Sequence, residues 1–594
     1  MSSGNVQRSS EAFTFGVLLL TFQVHAAGIF SPPEYDFIIV GGGTAGCLLA
    51  SRLSDNPDWS VLLVEAGGDE NWFQDVPFFA SLQEFTSADW GYRTEPSKAF
   101  CLGMDSGRCH WPRGKVFGGT SVINYMTYTR GNKADYDKWK TLGNTGWGYD
   151  DVLPFFLKHE DMTIPEYIND TKYHSTKGEV VITHPPYHTK LATAFLNAGI
   201  ERHYKNVDYN GANQIGYSYL QSAMKNGRRW SAYHAFLEPA RKRKNLHIVG
   251  KSMVTKILID KDSNSAYGIE YKWYGLLPVK AHAKKEVIVS AGTINSPQLL
   301  MLSGIGPEDH LQEVGIPVIK NSKVGYNLQD HVTIGNLYFT VNDSVSINVF
   351  NIFSDVVGIA EYIFKHSGIF TVPGGTEVVG FEDLDHPSDG NPDIEILFAS
   401  IASTMPIFWK SWGARTDILL RSYFSLILKN TYMILPILLH PYSRGRIMLK
   451  NRDPFTHPLI YPNYFSDLRD IEVIIKGIRI AIEMAETEAM QKYGATLYQK
   501  PLLECRDYEF NSDSYWECII RQMTFTMFHP SGTCKMGPES DEEAVVDTTL
   551  RVRGIKGLRV VDASVIPLSP AGHIMATVYM IAEKASHMIK EYWS

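Results

Sequence analysis

Three glycines near the N-terminus have the spacing of a phosphate-binding turn. Gly41, Gly43 and Gly46 form a GxGxxG pattern directly after an apolar run, and such glycines let backbone approach a pyrophosphate closely. Glu65 follows about twenty residues later, where a carboxylate accepts hydrogen bonds from ribose hydroxyls and repels a 2′-phosphate. The chemistry that these residues predict is the binding of FAD or NAD rather than NADP.

The segments around these residues predict the βαβ unit that would position them. Phe37–Val40 is a short apolar run of the kind found in buried parallel strands. A helix is predicted to begin near Thr44 and to direct its free amides at the phosphates, with Gly46 packing against the strand. Val61–Val64 is the second strand, ending at Glu65. A chance glycine-rich turn is the alternative, but strand, helix and acid together favour cofactor binding.

A second glycine-rich segment combines backbone amides with short polar side chains. Between His110 and Gly131 it contains Arg113, Gly114, Gly118, Gly119, Thr120, Ser121 and Asn124. Such a loop can wrap a second phosphate or the polar edge of a ring. The alternative is an ordinary turn before a strand-like run, Val122–Tyr128. The loop by itself does not decide between the two.

Two later segments repeat the strand-then-turn pattern. Lys285–Ser290 is strand-like, and a helix is predicted to open near Asn295, with Pro297 in its first turn. Leu558–Val561 is also strand-like, and Asp562 lies at its end, where it would meet a cofactor hydroxyl or cap a turn. The two additional strand segments predict a single sheet that receives strands from several distant parts of the chain.

Length and charge restrict the class of protein. The 594 residues, 44% of them hydrophobic, suffice for two structural domains that interleave in sequence. The formal net charge of -8 argues against nucleic acid as a partner.

The N-terminus resembles a secretory signal peptide in outline. Arg8 precedes the apolar run Phe13–Phe22, and Val24–Ala27 supplies small residues for cleavage. A membrane anchor is the competing interpretation, but the run is too short for about 30 Å of hydrocarbon. We therefore expect export to the extracellular space and no transmembrane segment in the mature chain. Asn169 and Asn342 begin glycosylation sequons.

The cysteines fit an oxidising compartment. Two pairs, Cys101 with Cys109 and Cys505 with Cys518, each bracket a short loop, whereas the remaining cysteines lie inside motif segments and are Cys47 and Cys534. Proximity predicts two local disulfides and two buried thiols. Six free thiols are the alternative.

Six segments together resemble the glucose-methanol-choline (GMC) oxidoreductases, FAD enzymes that oxidise alcohols. They are YDFIIVGGGTAG, PRGKVFGGTSVIN, GTINSPQLLMLSGIGP, VGYNLQDH, HPSGTCKMGP and VVDASVIP, and they occur in family order over most of the chain. The connecting segments resemble the insect branch, which includes glucose dehydrogenases and alcohol oxidases. The resemblance implies FAD rather than NAD. It also implies an α/β fold, in which a Rossmann-like FAD-binding domain interleaves with an α+β substrate-binding domain on an antiparallel sheet.

The resemblance also implies cofactor contacts beyond the first glycine motif. Carried over by position, the cofactor-binding set is Gly41, Gly43, Thr44, Ala45, Gly46, Glu65, Ala66, Val116, Thr120, Asn124, Tyr125, Met126, Thr127, Val254, Asp562 and Ile574. Relatives that hold FAD covalently use a histidine in the second loop, and no histidine stands between Arg113 and Met126. We therefore predict non-covalent FAD.

Two histidines match the active-site pair of the family. His529 precedes the SGT of its motif, and His573 falls where relatives carry histidine or asparagine. Alcohol oxidation needs a base near the hydroxyl while hydride leaves for flavin N5, so His529 is the predicted base and His573 the predicted stabiliser of the alkoxide. The helix expected after His573 would direct its N-terminus at the flavin.

The resemblance implies a division of the chain and several possible activities. We expect a signal peptide over 1–27, the FAD region over 35–340 with part of a cap at about 155–245, the substrate domain over 341–513, and a returning C-terminal region over 514–594. Aromatic and apolar content favours an aromatic or terpenoid alcohol, and the sequence leaves oxygen and quinone both open as the electron acceptor. Glucose dehydrogenase, ecdysteroid oxidase, hydroxynitrile lyase and a flavoprotein without turnover are the alternatives.

Overall fold

The computed structural model describes residues 32–594, apart from 85, 349–351, 353–354, 385–388 and 402–411. The predicted signal peptide lies outside the described residues. The aromatic-rich segment from Phe398 to Thr416, within the predicted substrate domain, is described except for residues 402–411. Two large hydrophobic cores are present, one around each of the two main sheets. The predicted α/β architecture with two interleaved sheets is therefore confirmed.

The first sheet contains the predicted βαβ unit. Its strands lie in the order Leu246–Val249, Val61–Val64, Glu34–Val40, Pro278–Val289, Ser265–Trp273 and Ser252–Asp260, with Leu558–Val560 also paired to Pro278–Val289. Glu34–Val40 is parallel to both neighbours, and Val40 is level with Val64 and Val289. The carboxyl ends of these strands therefore meet at one edge, which is where parallel α/β sheets bind ligands.

The strand and helix of this unit form where the sequence predicts them. Phe37, Ile38 and Ile39 are completely buried, as expected for a strand covered on both faces. The helix Thr44–Ser54 begins at the predicted residue. Its backbone therefore starts directly above the carboxyl edge of the sheet.

The second sheet is antiparallel and draws strands from distant parts of the chain. Its order is Thr496–Leu497, Tyr338–Thr340, Thr431–Leu438, Ile394–Ala399, Thr376–Glu382 and Gly216–Tyr219, with Val332–Ile334 pairing both Thr431–Leu438 and Thr524–Thr526. Four of these strands lie outside 341–513. The sheet thus includes chain from the cap region and from the C-terminal region as well.

Smaller elements surround the two sheets. A four-stranded sheet contains Glu160–Met162, Val180–Thr183, Ser222–Lys225 and Arg228–Arg229, and paired strands occur at Tyr92–Arg93 with His110–Trp111, Ile305–Gly306 with Lys320–Asn321, and Arg446–Met448 with Leu459–Tyr461. Other α-helices in the described part of the chain are Lys133–Thr141, Tyr149–His159, Lys190–Glu201, Glu238–Ala240, Gly292–Leu302, Glu308–Glu313, Val356–Lys365, Thr416–Tyr423, Arg469–Glu486, Glu488–Gln491, Asp513–Gln522 and Met575–Trp593. Tyr233–Leu237 is a π-helix.

Two local predictions need correction. Val122–Tyr128 is not a strand, because Gly119–Val122 forms a 3-10 turn and only Thr127 makes an isolated bridge, to Ser222. The helix expected to open near Asn295 begins at Gly292, so Pro297 lies inside it. Pro297 has no amide to bond the carbonyl of Thr293 four residues earlier, and Thr533 Oγ1 donates to that carbonyl at 2.6 Å instead.

The predicted disulfides are confirmed. Cys101 is bonded to Cys109 and Cys505 to Cys518, while Cys47 and Cys534 are free and buried. Among the described residues, no helix combines the length and apolar character needed to cross a membrane.

Candidate active site

A large internal cavity lies between the carboxyl edge of the first sheet and the second sheet. Its wall includes most of the predicted residues: Gly41, Gly43, Thr44, Ala45, Glu65, Ala66, Thr120, Asn124, Tyr125, Met126, Thr127, Val254, His529, Asp562, His573 and Ile574. The fold therefore brings the predicted cofactor contacts and both predicted catalytic histidines into one space.

Two predicted cofactor residues do not line this cavity. A Cβ on Gly46 would lie 1.9 Å from the carbonyl oxygen of Gly41, so Gly46 permits the close helix packing that the sequence predicts. Val116 lies within the second glycine-rich segment, is 2% exposed and packs with Ala88 and Ile123. Neither Gly46 nor Val116 therefore contacts the cavity directly.

The first glycine turn leaves space on its cavity side. Gly41 has a φ of +100°, which favours glycine, whereas a Cβ on Gly43 would meet nothing nearer than Gly119 Cα at 3.8 Å. The helix Thr44–Ser54 has no side-chain cap and no acid in its first turn. Its free amides therefore suit the pyrophosphate of a dinucleotide.

Glu65 is fixed at the end of its strand by backbone amides. Its Oε2 accepts a hydrogen bond from Gly42 N at 2.8 Å, and its Oε1 accepts one from Gly67 N at 2.7 Å. Burial raises the pKa of Glu65, against these hydrogen bonds. Each carboxylate oxygen can accept more than one hydrogen bond. Glu65 can therefore still accept the hydrogen bonds from ribose hydroxyls that the sequence predicts.

Asp562 has the turn-capping role that the sequence left open. Its Oδ1 accepts from Ser564 N at 2.8 Å, while Oδ2 accepts from Gly292 N at 2.9 Å and from Ser296 Oγ at 2.5 Å. Burial raises the pKa of this carboxyl. Asp562 thereby holds the first residues of the helix Gly292–Leu302 at the cavity wall. Its contact with the cofactor stays a prediction.

The second glycine loop is held against the first. Gly118 N donates to Gly42 O at 2.7 Å. Asn124 accepts hydrogen bonds from Arg229 Nη1 at 2.7 Å and from Met126 N at 3.0 Å. Met126 has a φ of +59°, so the chain reverses sharply there. The loop therefore presents Asn124 and its neighbours to the cavity in one fixed arrangement.

His529 and His573 meet in the cavity. Their ring centroids are 4.6 Å apart, with the ring planes at 76°. Thr526 ends a strand three residues before His529, and His573 lies just before the helix Met575–Trp593. Burial lowers the pKa of His529 well below its ordinary value, with smaller contributions from the neighbouring histidines and Arg113. His529 is therefore a neutral imidazole at physiological pH.

A third histidine, His331, holds one nitrogen of His529. The two Nδ1 atoms are 3.0 Å apart, so one of them donates and the other accepts. Burial lowers the pKa of His331 to about 3, which keeps this ring neutral as well. Since His331 occupies Nδ1 of His529, Nε2 is the ring nitrogen left for another molecule.

Asp330 and Arg113 fix the backbone on either side of this ring. His529 N donates to Asp330 Oδ1 at 2.9 Å, and Thr526 Oγ1 and the Tyr464 hydroxyl donate to Asp330 Oδ2. Burial raises the pKa of Asp330 to about 6. Arg113 Nη2 donates to the carbonyl of Phe528. The position of His529 is therefore determined by its chain neighbours as well as by His331.

Glu395 contacts the other histidine. It lies on the buried strand Ile394–Ala399, is 1% exposed, and places Oε1 2.9 Å from His573 Nε2. The backbone of His573 is held by Thr129, whose Oγ1 accepts from His573 N at 2.5 Å and donates to His573 O at 3.1 Å. Nδ1 is the nitrogen of His573 left for another molecule.

The rest of the cavity wall is mostly apolar. The second sheet contributes Leu397, Ala399, Met433 and Leu435, and aromatic rings come from Trp90, Tyr125, Trp412, Phe525 and Phe528. Glu84 also lines this space, with Oε2 buried and without a hydrogen-bond partner. Burial raises the pKa of Glu84 well above its usual range.

Sequence reasoning missed Glu395, His331 and Glu84. The signal for Glu395 was a single acid inside the apolar run IEILFA, and His331 ends the quoted segment VGYNLQDH. Each contact joins residues far apart in the chain, as Glu395 and His573 are 178 positions apart. Their partners could therefore be found only after the two sheets were assembled.

Comparison with known proteins agrees with the geometry. Models of the GMC oxidoreductase family match residues 35–333 and 441–582. A "Glucose dehydrogenase [FAD, quinone]" of Drosophila pseudoobscura pseudoobscura is 40% identical, covering 94% of this chain and 87% of the relative. An "Alcohol dehydrogenase [acceptor]" of Pseudomonas putida is 36% identical, covering 93% and 95%. The crystal structure of pyridoxine 4-oxidase from Mesorbium loti superposes with a TM-score of 0.78 at 28% identity, covering 93% and 98%.

Proposed function

This chain belongs to the GMC oxidoreductase family and is an FAD-dependent oxidoreductase acting on CH–OH donors, and we propose that its substrate is a small alcohol with an apolar body. The observation that carries the proposal is the pair His529 and His573, with ring centroids 4.6 Å apart, facing a part of the cavity wall that is mostly aliphatic and aromatic. Bound FAD supplies the acceptor for the hydride that leaves the carbinol carbon.

His529 is the base in this proposal. Its Nδ1 carries the proton that it shares with His331, so the unprotonated Nε2 is directed at the substrate hydroxyl and removes its proton. The low pKa of His529 keeps Nε2 unprotonated, and Asp330 holds the backbone that aims the ring. A neutral base fixed by its neighbours needs little reorganisation during the reaction.

His573 stabilises the oxygen from which the proton leaves. Because Glu395 holds Nε2, only Nδ1 is left to face the substrate, where a protonated Nδ1 donates a hydrogen bond to the oxygen. Glu395 is therefore a positioning residue that acts through His573.

The pH dependence of the reaction tests the state of His529. A histidine whose pKa lies below 6.5 becomes inactive as a base only when the pH falls through its lowered value. We expect kcat/KM to show no loss as the pH falls through 6.5 in a profile measured on the holoenzyme. An acidic limb at 6.5 or above would show that the base titrates as an exposed histidine does.

Replacement of Glu395 by glutamine tests the second histidine. The Glu395→Gln variant keeps the hydrogen bond but removes the charge, so we expect kcat/KM to fall about a hundredfold, the order of magnitude of one hydrogen bond to developing charge. An unaltered kcat/KM would remove Glu395 from the mechanism.

A turnover assay with varied alcohols and acceptors tests the substrate proposal. Holoenzyme is supplied with benzyl alcohol, a monoterpenoid alcohol, an ecdysteroid or glucose, with either a quinone or oxygen. We expect the highest kcat/KM with an apolar alcohol, because Leu397, Met433 and Leu435 offer no hydrogen bonds to a polyol. Preference for glucose over every apolar alcohol would overturn this choice.

Quinone-dependent glucose oxidation is the second candidate. It is supported by the 40% identity to the Drosophila glucose dehydrogenases and by Glu84, a buried acid in the cavity with one oxygen unpartnered. A sugar hydroxyl would satisfy that oxygen. The same assay separates the two candidates.

We also propose that the protein is exported. Two disulfides fit an oxidising compartment, and Asn169 and Asn342 are exposed, as glycosylation requires. N-terminal sequencing and glycosidase treatment of the protein secreted by cultured cells test this. Retention inside the cells with an intact leader would contradict it.

A further inference from the structure

Three potential metal ligands converge outside the catalytic cavity. Glu70, Asp75 and His234 each place one ligand atom within 4.8 Å of the others. His234 Nε2 is 3.2 Å from Asp75 Oδ1 and 3.7 Å from Glu70 Oε2. Both acids follow the strand Val61–Val64, and His234 lies on the π-helix Tyr233–Leu237, an element found frequently at functional sites.

One carboxylate oxygen of Glu70 has no hydrogen-bond partner among the residues that the structure describes. Its side chain is 1% exposed, Oε2 accepts from Ser231 Oγ at 2.5 Å, and Oε1 is buried without a hydrogen bond. A buried carboxylate oxygen without a partner is costly. This oxygen therefore points to a ligand at the cluster and is independent of the ion pairs around His234.

The residues behind the three ligands resemble the outer shell of metal sites. His234 Nδ1 is 3.0 Å from Glu238 Oε2, and a histidine that binds a metal through one nitrogen commonly donates the other to a carboxylate. Trp230 stacks on the imidazole, with centroids 5.4 Å apart. Both contacts orient the ring so that Nε2 faces Glu70 and Asp75.

We propose that Glu70, Asp75 and His234 bind one divalent transition-metal cation of the zinc class. One imidazole nitrogen and two carboxylate oxygens suit zinc(II), with water completing the tetrahedron. Calcium, which takes six or more oxygen ligands, suits this set poorly. With neutral His234, the carboxylates of Glu70, Asp75 and Glu238 carry more negative charge than Arg229 offsets.

The proposed site is connected to the second glycine loop. Arg229 Nε donates to Gln74 O at 2.8 Å, and its Nη1 donates to Asn124 Oδ1 at 2.7 Å. The segment that carries both acids is thus tied to a residue on the cavity wall. A bound cation would join this segment to His234 on the π-helix and stabilise the folded state. We therefore expect zinc to raise the unfolding temperature of the holoenzyme.

Calorimetry on the FAD-loaded full chain tests the site. Chelator-treated holoenzyme is titrated with zinc chloride at pH 7.5. We expect one zinc ion per chain at this site. The His234→Gln variant should lose at least tenfold in affinity, whereas His587→Gln, which alters an exposed histidine beside Glu591, should bind as the unchanged protein does.

Two results would overturn the proposal. One is zinc binding that survives in both His234→Gln and Glu70→Gln, because such binding belongs elsewhere, including the histidines of the cavity. The other is the absence of zinc binding in the unchanged holoenzyme. If one of these variants fails to fold, the other still decides.

Discussion

Replacing His529 by glutamine is expected to lower kcat/KM by about 10²–10⁴-fold, the range that a positioned acid or base contributes. Glutamine retains a polar group of similar reach but cannot accept the hydroxyl proton at neutral pH. His529 is the ring whose Nε2 is left free while His331 holds Nδ1. We therefore expect the loss to appear in kcat as well as in kcat/KM, measured by steady-state kinetics with the preferred alcohol.

The flavin content provides the control for this variant. No backbone hydrogen bond of His529 depends on its side chain, because Asp330 accepts from the amide nitrogen. The His529→Gln protein should therefore keep its FAD absorbance and its unfolding temperature. Turnover at the unchanged rate, with full flavin, would contradict the assignment of His529 as the base.

Replacing Gly43 by alanine is expected to weaken FAD binding about tenfold or more without unfolding the protein. Gly43 has φ -81° and ψ -160°, which alanine adopts freely, and the nearest protein atom to the new Cβ would be 3.8 Å away. The added methyl group projects into the space predicted for the pyrophosphate. Each tenfold loss corresponds to about 1.4 kcal/mol, and titration of the apoprotein with FAD measures it.

Gly46→Ala is the matched comparison. A Cβ there would lie 1.9 Å from Gly41 O, a backbone atom, so the helix must move away from its strand. We expect this variant to lose both thermal stability and FAD. If Gly43→Ala binds FAD as tightly as the unchanged protein, the pyrophosphate does not lie at this turn.

Local patterns predicted the first βαβ unit well. The strand, the turn and the helix start at Thr44 are set by residues adjacent in sequence, so apolar runs and glycine spacing sufficed. The helix predicted after His573 runs from Met575 to Trp593, and both disulfides close short loops. In each case the interacting residues lie within about one structural element of each other.

Long-range contacts account for what the sequence could not predict. The second sheet joins Gly216–Tyr219 to strands more than 150 positions later, and nothing in either segment identifies the other as its partner. His331 reaches His529 across 198 positions. The run Val122–Tyr128 has the residue types of a strand, but Asn124 and Met126 are held by Arg229 and by a left-handed backbone. Tertiary contacts therefore overrode local preference there.

Anaerobic reduction of the bound flavin tests the central claim most directly. Purified holoenzyme is mixed without oxygen with benzyl alcohol, a monoterpenoid alcohol, an ecdysteroid or glucose, and the yellow absorbance band is followed. We predict complete bleaching by at least one apolar alcohol in the unchanged protein, at a rate that falls by orders of magnitude in His529→Gln. A fully loaded flavin that no alcohol reduces would contradict alcohol oxidation and favour a non-redox activity such as hydroxynitrile cleavage.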